Sequence, residues 1–483
     1  MHPSALAKRL YILLFLVIIA FYFYGLGSLP LLGPDEPRYA QVAREMFMRG
    51  DLITPTLGGH TWFEKPALLY WLMIASYKVF GVNEWSARLG PALCGLLTIV
   101  AVAYVGRAME RASDEARDYC FWSVLVTASS LGLIVFSRAA SFDVVITMTA
   151  TWALAFFIVY ELGKEKRSAL LVGFYVCVGL SLLAKGLVGI VIPFGVLGVY
   201  YLLRRTWPTR EVRLSLLWGV PLAIAVSAIW YGPVIARHGW PFIDEFFIQH
   251  HFARYVSNKY HHPQPIYFYP VVILLLALPW SPFLFTALAK IRTWAWRAAD
   301  AVNVVRVFAL AWLVLPIVFF SFSASKLPGY ILPSLPAAAF LITDYLARAK
   351  SRWVPGPTFR LVIFGATLIL IAVVLLFAAP RFAQQESVRD LLQVAAARGY
   401  ADAPVLARTG DDRSAQFYAY DRVVYNANGE VLTFDEVSVE SARALGKKIV
   451  VLIPAEYAAN FRGTPNIEII GNNGRTAVLG WTP

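Results

Sequence analysis

Eleven apolar stretches, each long enough to cross a lipid bilayer, constrain the fold of this chain more than any other feature. A membrane-spanning helix needs about 20 mostly apolar residues. Of the 483 residues 58% are hydrophobic, and the mean hydropathy is +0.59, which is typical of a polytopic membrane protein and not of a soluble protein of this length. The predicted spans are roughly 9–29, 87–107, 118–138, 142–161, 168–185, 186–203, 213–235, 265–289, 305–323, 328–347 and 359–379. We therefore predict an all-α polytopic membrane bundle.

The charges between these spans are distributed unevenly. The gaps 107–117, 164–167, 204–213, 290–306 and 348–360 are short and basic. With the N-terminus in the cytoplasm, all five lie on the cytoplasmic side, as the positive-inside rule requires. These basic loops, which would face anionic lipids on that side, account for much of the net charge of +13. Nucleic acid is excluded as a partner, because the basic residues are split among short loops and form no single stripe.

Two regions outside the bundle are predicted to lie on the opposite, outer side. The first outer loop, 30–86, contains an amphipathic helix at 37–48 and a short apolar stretch at 66–80, which we place flat on the membrane surface. We divide the chain into a membrane domain, 1–379, and a small soluble α/β domain, 380–483. The soluble part has helix-like runs at 387–397 and 437–445 and strand-like runs at 404–407, 448–453 and 467–470.

The segment Asp35-Glu36-Pro37-Arg38-Tyr39 directly follows the first predicted span. One explanation is a helix start, with Asp35 as the N-cap and Glu36 favoured by the helix dipole. That explanation does not account for the position of Asp35 at the membrane edge, beside other polar clusters. A carboxylate held there can act as a base or orient a sugar hydroxyl, so we predict a functional role for Asp35.

The segment Phe63-Glu64-Lys65-Pro66 precedes the membrane-surface helix. A surface ion pair between Glu64 and Lys65 is one interpretation, and such pairs contribute little to stability. The other interpretation is a binding site for a lipid phosphate that carries a polar group, since the segment presents an ammonium and a carboxylate together. The sequence leaves both interpretations open.

Further polar residues fall at the same predicted outer ends. His251 and Arg254 lie in the segment 249–262, which holds four of the seven histidines, but the spacing matches no zinc motif. The planar fork of Arg254 suits phosphate oxygens better. Lys185 and Lys326 lie at outer helix ends, where snorkelling to the headgroups is the alternative explanation. Asp143 begins a helix, where capping is the ordinary explanation.

Taken in order, these motifs resemble the polyprenyl-phosphate-dependent membrane glycosyltransferases. The matching segments are Asp35 to Tyr39, Phe63 to Pro66, His251 with Arg254, and Lys326-Leu327-Pro328-Gly329-Tyr330. The chain looks most like the aminoarabinose transferases that modify lipid A, and more distantly like protein O-mannosyltransferases. The resemblance covers about residues 1–350 and implies the GT-C architecture, which is a helical bundle with interfacial helices in the first outer loop and an outer soluble domain.

The resemblance also implies roles for individual residues. Asp35 and Glu64 match the two carboxylates of the catalytic region. Lys65, Arg254 and Lys185 match cations that bind the lipid phosphate. Trp62 stands where the family pattern leads us to expect a tyrosine. Secondary positions lining the substrate cavity are Arg38, Tyr39, Asp143, His251, Lys326 and Tyr330.

The implied reaction is transfer of a sugar from undecaprenyl phosphate, with inversion, to lipid A or a related envelope acceptor. The implied setting is the periplasmic side of a bacterial inner membrane, with the protein acting as a monomer among membrane lipids. The leaving group is a phosphate, so cations rather than a general acid would stabilise its charge. Beyond the lipid-linked sugar donor the resemblance names no cofactor, and the sequence leaves open a divalent metal between Asp35 and Glu64.

Two other functions compete with this prediction. A protein O-glycosyltransferase or a polysaccharide-building transferase would use the same kind of donor with another acceptor. A lipid or solute transporter, or a flippase, is the second alternative. The sequence favours an enzyme, because the polar clusters lie at one predicted mouth instead of the bilayer midplane, and no internal repeat is visible.

Overall fold

The computed structural model describes residues 5–253, 264–348, 356–407, 413–425 and 447–482, with only the backbone for 5–11, 251 and 252. The chain divides into two compact units. We call Met1–Tyr24, Phe63–Leu69 and Gly90–Leu370 the bundle unit. We call Gly25–Trp62, Tyr70–Leu89 and Ile371–Pro483 the loop–tail unit, because it combines most of the first outer loop with the C-terminal tail. The predicted division into 1–379 and 380–483 stays a prediction.

Helices account for most of the described chain. Several begin at a side chain that caps the first turn: Ser141 accepts from the Asp143 N–H, and Asp300 accepts from the Asn303 N–H. The α-helices are Ala5–Phe23, Asp35–Arg49, Leu68–Phe80, Glu84–Ala112, Tyr119–Ala128, Leu131–Ser137, Phe142–Leu162, Ser168–Lys185, Val188–Arg204, Arg210–His238, Trp240–Ile243, Phe268–Leu276, Ser281–Ala289, Ala301–Ser321, Leu335–Arg348, Pro357–Val373, Ala379–Glu386, Arg389–Ala395 and Arg413–Tyr418. Wider π-helical turns occupy Asp244–Ala253, Val374–Ala378 and Ala396–Tyr400, and short 3₁₀ turns include Pro328–Ser334 and Ala455–Phe461.

The helices confirm the prediction of a multi-pass membrane protein. Seven helical segments in the described residues are long and apolar enough to span a bilayer, and a bent pair, Tyr119–Ala128 with Leu131–Ser137, brings the number to eight. The other three of the eleven predicted spans, 9–29, 186–203 and 265–289, correspond to shorter helices or to a helix broken in two. Small residues let neighbouring helices of the bundle approach closely. At Gly189, for example, a β carbon would overlap the backbone of Ser181 in the preceding helix.

The loop–tail unit contains the predicted amphipathic helix, which runs from Asp35 to Arg49. It ends because Gly50 adopts the left-handed conformation with φ of 67°, which lets the Gly50 and Asp51 N–H groups bond the last carbonyls. After it comes a hairpin of strands β1 (Thr56–Leu57) and β2 (His60–Thr61). Glu45 of the helix accepts hydrogen bonds from the Thr56 hydroxyl at 2.7 Å and the Gly58 N–H at 2.8 Å, so the helix fixes the hairpin.

The tail forms the predicted small α/β fold around a four-stranded sheet. Its strands are β3 (Val405–Ala407), β4 (Ile449–Pro454), β5 (Ile467–Asn472) and β6 (Thr476–Trp481), in the order β3-β4-β6-β5. Strands β3 and β4 pair in parallel, whereas β6 pairs antiparallel with both of its neighbours. The helix Arg389–Ala395 confirms the predicted run at 387–397, and the run at 437–445 lies outside the described residues. Strand β6 was not predicted.

A buried ion pair between Glu36 and Arg88 anchors the start of the first outer loop. The Arg88 guanidinium meets both Glu36 carboxylate oxygens, at 2.9 and 2.7 Å. Its remaining N–H groups donate to the carbonyls of Leu26, Leu29 and Pro30 at 2.7 to 2.8 Å. Both side chains are less than a tenth exposed. A buried charge is tolerated only when it is paired and hydrogen-bonded, and this pair meets that condition.

The tail also holds the same part of the loop. The Tyr418 hydroxyl accepts from the Leu31 N–H at 2.8 Å and donates to the Glu84 carboxylate at 3.1 Å. Burial raises the pKa of Tyr418, so the phenol keeps the proton that it donates. Glu84 also pairs with Arg389 at 3.2 Å. The Arg44 guanidinium lies 3.5 Å from the centre of the Tyr420 ring, so cation–π contact adds a third attachment.

The Glu36–Arg88 pair generates a stability prediction. Glu36→Gln leaves the Arg88 charge buried without its counter-charge, so we expect the free energy of unfolding to fall by about 3 kcal/mol. Denaturant unfolding of the purified protein in detergent measures this change. The matched control is Glu165→Gln, which breaks an ion pair with Arg167 whose side chains are 82% and 74% exposed. Its expected cost is below about 1 kcal/mol. Equal costs for the two variants would contradict the anchoring role.

The Tyr418 bridge generates a second prediction. Tyr418→Phe removes the acceptor of the Leu31 N–H, and we expect hydrogen exchange at that amide to become about fivefold faster, in line with one lost hydrogen bond. Exchange followed by mass spectrometry measures it. Tyr400→Phe is the control, because Tyr400 is a buried tyrosine of the same tail whose hydroxyl bonds none of the described residues. Unchanged exchange at Leu31 in the Tyr418 variant would show that the bridge does not hold the loop.

Candidate functional site

Asp35 is the first residue of its helix and is not the N-cap. Pro34 occupies the cap position and makes no side-chain cap bond. The Asp35 carboxylate instead pairs with the Arg38 guanidinium one turn later, and it stays half exposed, at 49%. The Asp35 carboxylate therefore does not cap the helix. It is paired with Arg38 and partly exposed to solvent.

Arg38 lies against aromatic rings. Its guanidinium is 5.2 Å from the centre of the buried Tyr39 ring and 5.5 Å from that of Trp62. Trp62 also contacts a tail residue, since the Arg413 guanidinium lies 5.8 Å from its ring centre. Within the loop–tail unit, Trp62 therefore contacts both Arg38 of the helix and Arg413 of the tail. These cation–π contacts keep Arg38 oriented, so that the Asp35–Arg38 pair presents a fixed carboxylate.

Glu64 and Lys65 form a largely buried pair in the bundle unit. The Lys65 ammonium is 2.9 Å from a Glu64 carboxylate oxygen, and the side chains are 15% and 5% exposed respectively. The interpretation as an ordinary surface ion pair is therefore wrong. The preceding Phe63 packs in an edge-to-face geometry on His238, with ring centres 5.0 Å apart. A partly desolvated ammonium of this kind binds phosphate more strongly than an exposed one.

Glu245 belongs to the same cluster and was missed by the sequence analysis. Its carboxylate accepts from the Phe63 N–H at 3.2 Å. Burial raises the pKa of Glu245, and the nearby carboxylates of Asp244 and Glu64 act in the same direction. Raised carboxyl pKa values are typical of functional sites. Its π-helical setting in Asp244–Ala253 is a second such indicator, but neither is readable from a linear sequence.

Asp143, Lys185 and Tyr330 form a second cluster in the bundle unit. Lys185, the last residue of its helix, bonds the Asp143 carboxylate, and its ammonium lies 4.5 Å from the centre of the Tyr330 ring. Ser141 supplies the cap of the helix that Asp143 was expected to cap. Capping by Asp143 and snorkelling by Lys185 are therefore corrected, because each side chain is the other's partner.

The loop before Tyr330 packs tightly onto this cluster. A β carbon at Gly329 would overlap the Asp143 carboxylate, so only glycine allows the approach. Lys326 is 8% exposed and donates to the Gln264 carbonyl at 3.0 Å. Snorkelling is therefore not its explanation either. The predicted segment 326–330 thus contains a buried ammonium, that of Lys326, and an aromatic ring, that of Tyr330. The ring lies beside Lys185.

Two predicted residues fall beyond what the structure describes. Arg254 lies outside the described residues, and for His251 only the backbone is described, in the last turns of Asp244–Ala253. Among the described residues, no group of three or more His, Cys, Asp or Glu side chains is placed to hold a metal ion. The described cations suited to a phosphate are Lys65 and Lys185, each held beside a carboxylate.

Named relatives are similar to much of this chain. The chain is 29% identical over 377 residues to the undecaprenyl phosphate-alpha-4-amino-4-deoxy-L-arabinose arabinosyl transferase of Serratia proteamaculans, covering 74% of this chain and 64% of that one. It is 31% identical over 342 residues to the protein of the same name from Yersinia enterocolitica, covering 69% and 58%. The chain thus spans about three fifths of the length of these curated relatives.

Solved structures show the same fold. The crystal structure of ArnT from Cupriavidus metallidurans bound to undecaprenyl phosphate matches with a TM-score of 0.78 at 24% identity, over 98% of each chain. The oligosaccharyltransferase of Archaeoglobus fulgidus matches with a TM-score of 0.51 at 12% identity, over 94% of this chain and 71% of the other. These likenesses confirm the predicted GT-C architecture with a small C-terminal α/β region.

The family profile described as dolichyl-phosphate-mannose-protein mannosyltransferase covers residues 8–295. That range is more than half of the chain. It includes the helix that begins at Asp35, the Glu64–Lys65 pair and the Asp143–Lys185 pair. The chain therefore belongs to the dolichyl-phosphate-mannose-protein mannosyltransferase family.

Proposed function

We propose that this protein transfers a sugar from an undecaprenyl-phosphate donor to lipid A or a related envelope acceptor. The observation that carries the proposal is the identity of about 30%, over about 70% of the chain, to transferases named for undecaprenyl-phosphate aminoarabinose. The predicted setting is the periplasmic side of a bacterial inner membrane, with the protein as a monomer. The proposal requires cations for the lipid phosphate and a carboxylate for the sugar or the acceptor.

The donor chemistry explains why cations dominate the proposed site. When the bond between sugar and phosphate breaks, the bridging oxygen keeps the electron pair, and the lipid phosphate gains negative charge. We assign Lys65 and Lys185 to this phosphate, together with Arg254 from the family resemblance. Each lysine is positioned by its carboxylate partner, so little reorganisation is needed as charge develops. A single displacement inverts the anomeric centre.

Asp35 has a role that depends on the acceptor. A hydroxyl acceptor loses its proton as it attacks, and Asp35 would take that proton as general base. A lipid A phosphate is already anionic, so Asp35 would then bind an amino group on the sugar or orient the ring. We assign Glu64 to the same task of holding the sugar. The half-exposed carboxylate of Asp35 and its fixed partner Arg38 support either role.

A protein acceptor is the second candidate. The observation that favours it is the description of the matching family, whose members are named for transfer of mannose to protein. The donor would still be a sugar on a polyprenyl phosphate, and the roles of the cations would not change. Only the acceptor would differ, and its hydroxyl would require Asp35 as a base.

Mass spectrometry of lipid A tests the proposed function. The host is a bacterium that makes undecaprenyl-phosphate aminoarabinose but lacks its own transferase. We expect the chain to add the mass of one aminoarabinose to lipid A, and Asp35→Asn to abolish the gain. Asp402→Asn is the control, since Asp402 is an exposed tail residue, and it should behave as the unchanged protein.

The other outcomes decide against this acceptor. No mass gain with the unchanged, membrane-inserted protein would overturn lipid A as the acceptor for this donor. A gain on envelope proteins in the same cells would select the second candidate. Transfer by purified protein in detergent, where no gradient exists, separates an enzyme from the transporter that the sequence analysis considered.

A kinetic prediction follows from the Asp143–Lys185 pair. Lys185→Gln removes a cation that is oriented towards the phosphate before reaction, and we expect kcat to fall about 100-fold. The matched control is Lys166→Gln. Lys166 also lies beside a tyrosine, with its ammonium 5.0 Å from the Tyr160 ring centre, but it is exposed, bonds backbone carbonyls and lies in a basic gap predicted to be cytoplasmic. Turnover of the purified donor measures both, and equal losses would contradict the assignment of Lys185.

A further inference from the structure

A cavity at one end of the bundle unit carries an inference that is independent of the transfer reaction. The cavity has a volume of about 600 Å³. Residues from the helices Phe142–Leu162, Ser168–Lys185, Val188–Arg204 and Arg210–His238 line it, as does the segment that joins the last two. Of the predicted phosphate and sugar residues whose side chains the structure describes, none lies in its wall. The cavity opens beside a basic gap, 204–213, that is predicted to face the cytoplasm.

The wall of the cavity is apolar. Phe157, Phe174, Phe194 and Leu197 contribute hydrocarbon surface. Three hydroxyls of the wall are paired within the protein: those of Tyr175 and Ser215 bond each other at 2.9 Å, and that of Tyr201 donates to Glu161 at 3.2 Å. A sugar or another polar ligand would find few partners there. A hydrocarbon chain fits the wall, because its burial requires no hydrogen bonds.

The rim of the cavity is cationic. Arg205 and Arg213 line it and are exposed, and neither side chain has a hydrogen bond or ion pair to any described residue. Trp207, also on the rim, is 88% exposed. A tight helix end places Arg205 there, because Arg205 adopts the left-handed conformation and its N–H bonds the Leu202 carbonyl. Tryptophan at the headgroup level and arginine beside it are typical of a lipid interface.

We propose that this cavity is a binding site for one anionic glycerophospholipid. An acyl chain occupies the space along the apolar wall, and Arg205 and Arg213 bind the phosphate. Charge complementarity favours an anionic headgroup over a zwitterionic one, because neither guanidinium group at the rim forms an ion pair with a residue that the structure describes. Basic pockets between membrane helices on the cytoplasmic side bind such lipids by this chemistry.

Native mass spectrometry of the purified full-length protein tests the proposal. Phosphatidylglycerol and phosphatidylcholine with identical acyl chains are titrated separately. We expect one phosphatidylglycerol to be retained with higher affinity than phosphatidylcholine. The double variant Arg205→Gln with Arg213→Gln should weaken phosphatidylglycerol binding roughly thirtyfold. Arg210→Gln is the matched control, because Arg210 is an exposed arginine of the same segment that does not line the cavity.

A second variant tests the hydrocarbon part separately. Gly198 lines the cavity, and a β carbon added there meets nothing within 4 Å. Gly198→Leu therefore starts in open space and adds hydrocarbon to the volume that the acyl chain would occupy. We expect it to abolish retention of phosphatidylglycerol although both arginines remain. Its unfolding temperature in lipid-free detergent should match that of the unchanged protein.

Several results would overturn the proposal. Equal affinity for phosphatidylcholine would indicate bulk lipid and no anionic site. Retention that survives Gly198→Leu would show that the chain lies elsewhere. Loss of binding in Arg210→Gln as large as in the double variant would indicate diffuse surface charge. Displacement of phosphatidylglycerol by equimolar undecaprenyl phosphate would assign the cavity to a prenyl lipid.

Discussion

The buried pair between Glu36 and Arg88 is the interaction on which the loop–tail unit depends. Five hydrogen bonds leave the Arg88 guanidinium, two to Glu36 and three to carbonyls at positions 26, 29 and 30. The chain leaving the first helix therefore has one path to the helix that begins at Asp35. Because Glu36 is fixed at the start of this helix, the backbone of its neighbour Asp35 is held there too, and the Asp35 carboxylate is paired with Arg38 and half exposed. A structural carboxylate thus helps to position the carboxylate that we propose as functional.

The same physical rule governs the cations of the bundle unit. A charged side chain that leaves water must be paired, and the pairing determines where it stays. Lys65 is paired with Glu64, and Lys185 is paired with Asp143 and lies over the Tyr330 ring. An ammonium held in this way is positioned before any ligand arrives, which is why we propose these two lysines for the lipid phosphate.

The tail is part of how the first outer loop is built. Tyr418, Arg389 and Arg413 reach the loop by a hydroxyl bridge, an ion pair and a cation–π contact. A tail that only covered the membrane part would not need such directional contacts. The sequence offered no motif in this region, because these contacts join residues more than 300 positions apart along the chain.

The sequence by itself determined the class of the fold, the family and most of the candidate residues, because these depend on local patterns. Hydropathy identifies membrane helices wherever about 20 apolar residues occur together, and short motifs around Asp35, Glu64 and Tyr330 carry the resemblance. Only the tertiary structure decided the partners. From the sequence, Asp143 was interpreted as a cap and Lys185 as a snorkelling cation, and neither Arg88 nor Glu245 was predicted as a site residue. The reason is that each of the four contacts a residue that is distant in sequence. Pairing of buried charges is a long-range property, which composition and periodicity do not encode.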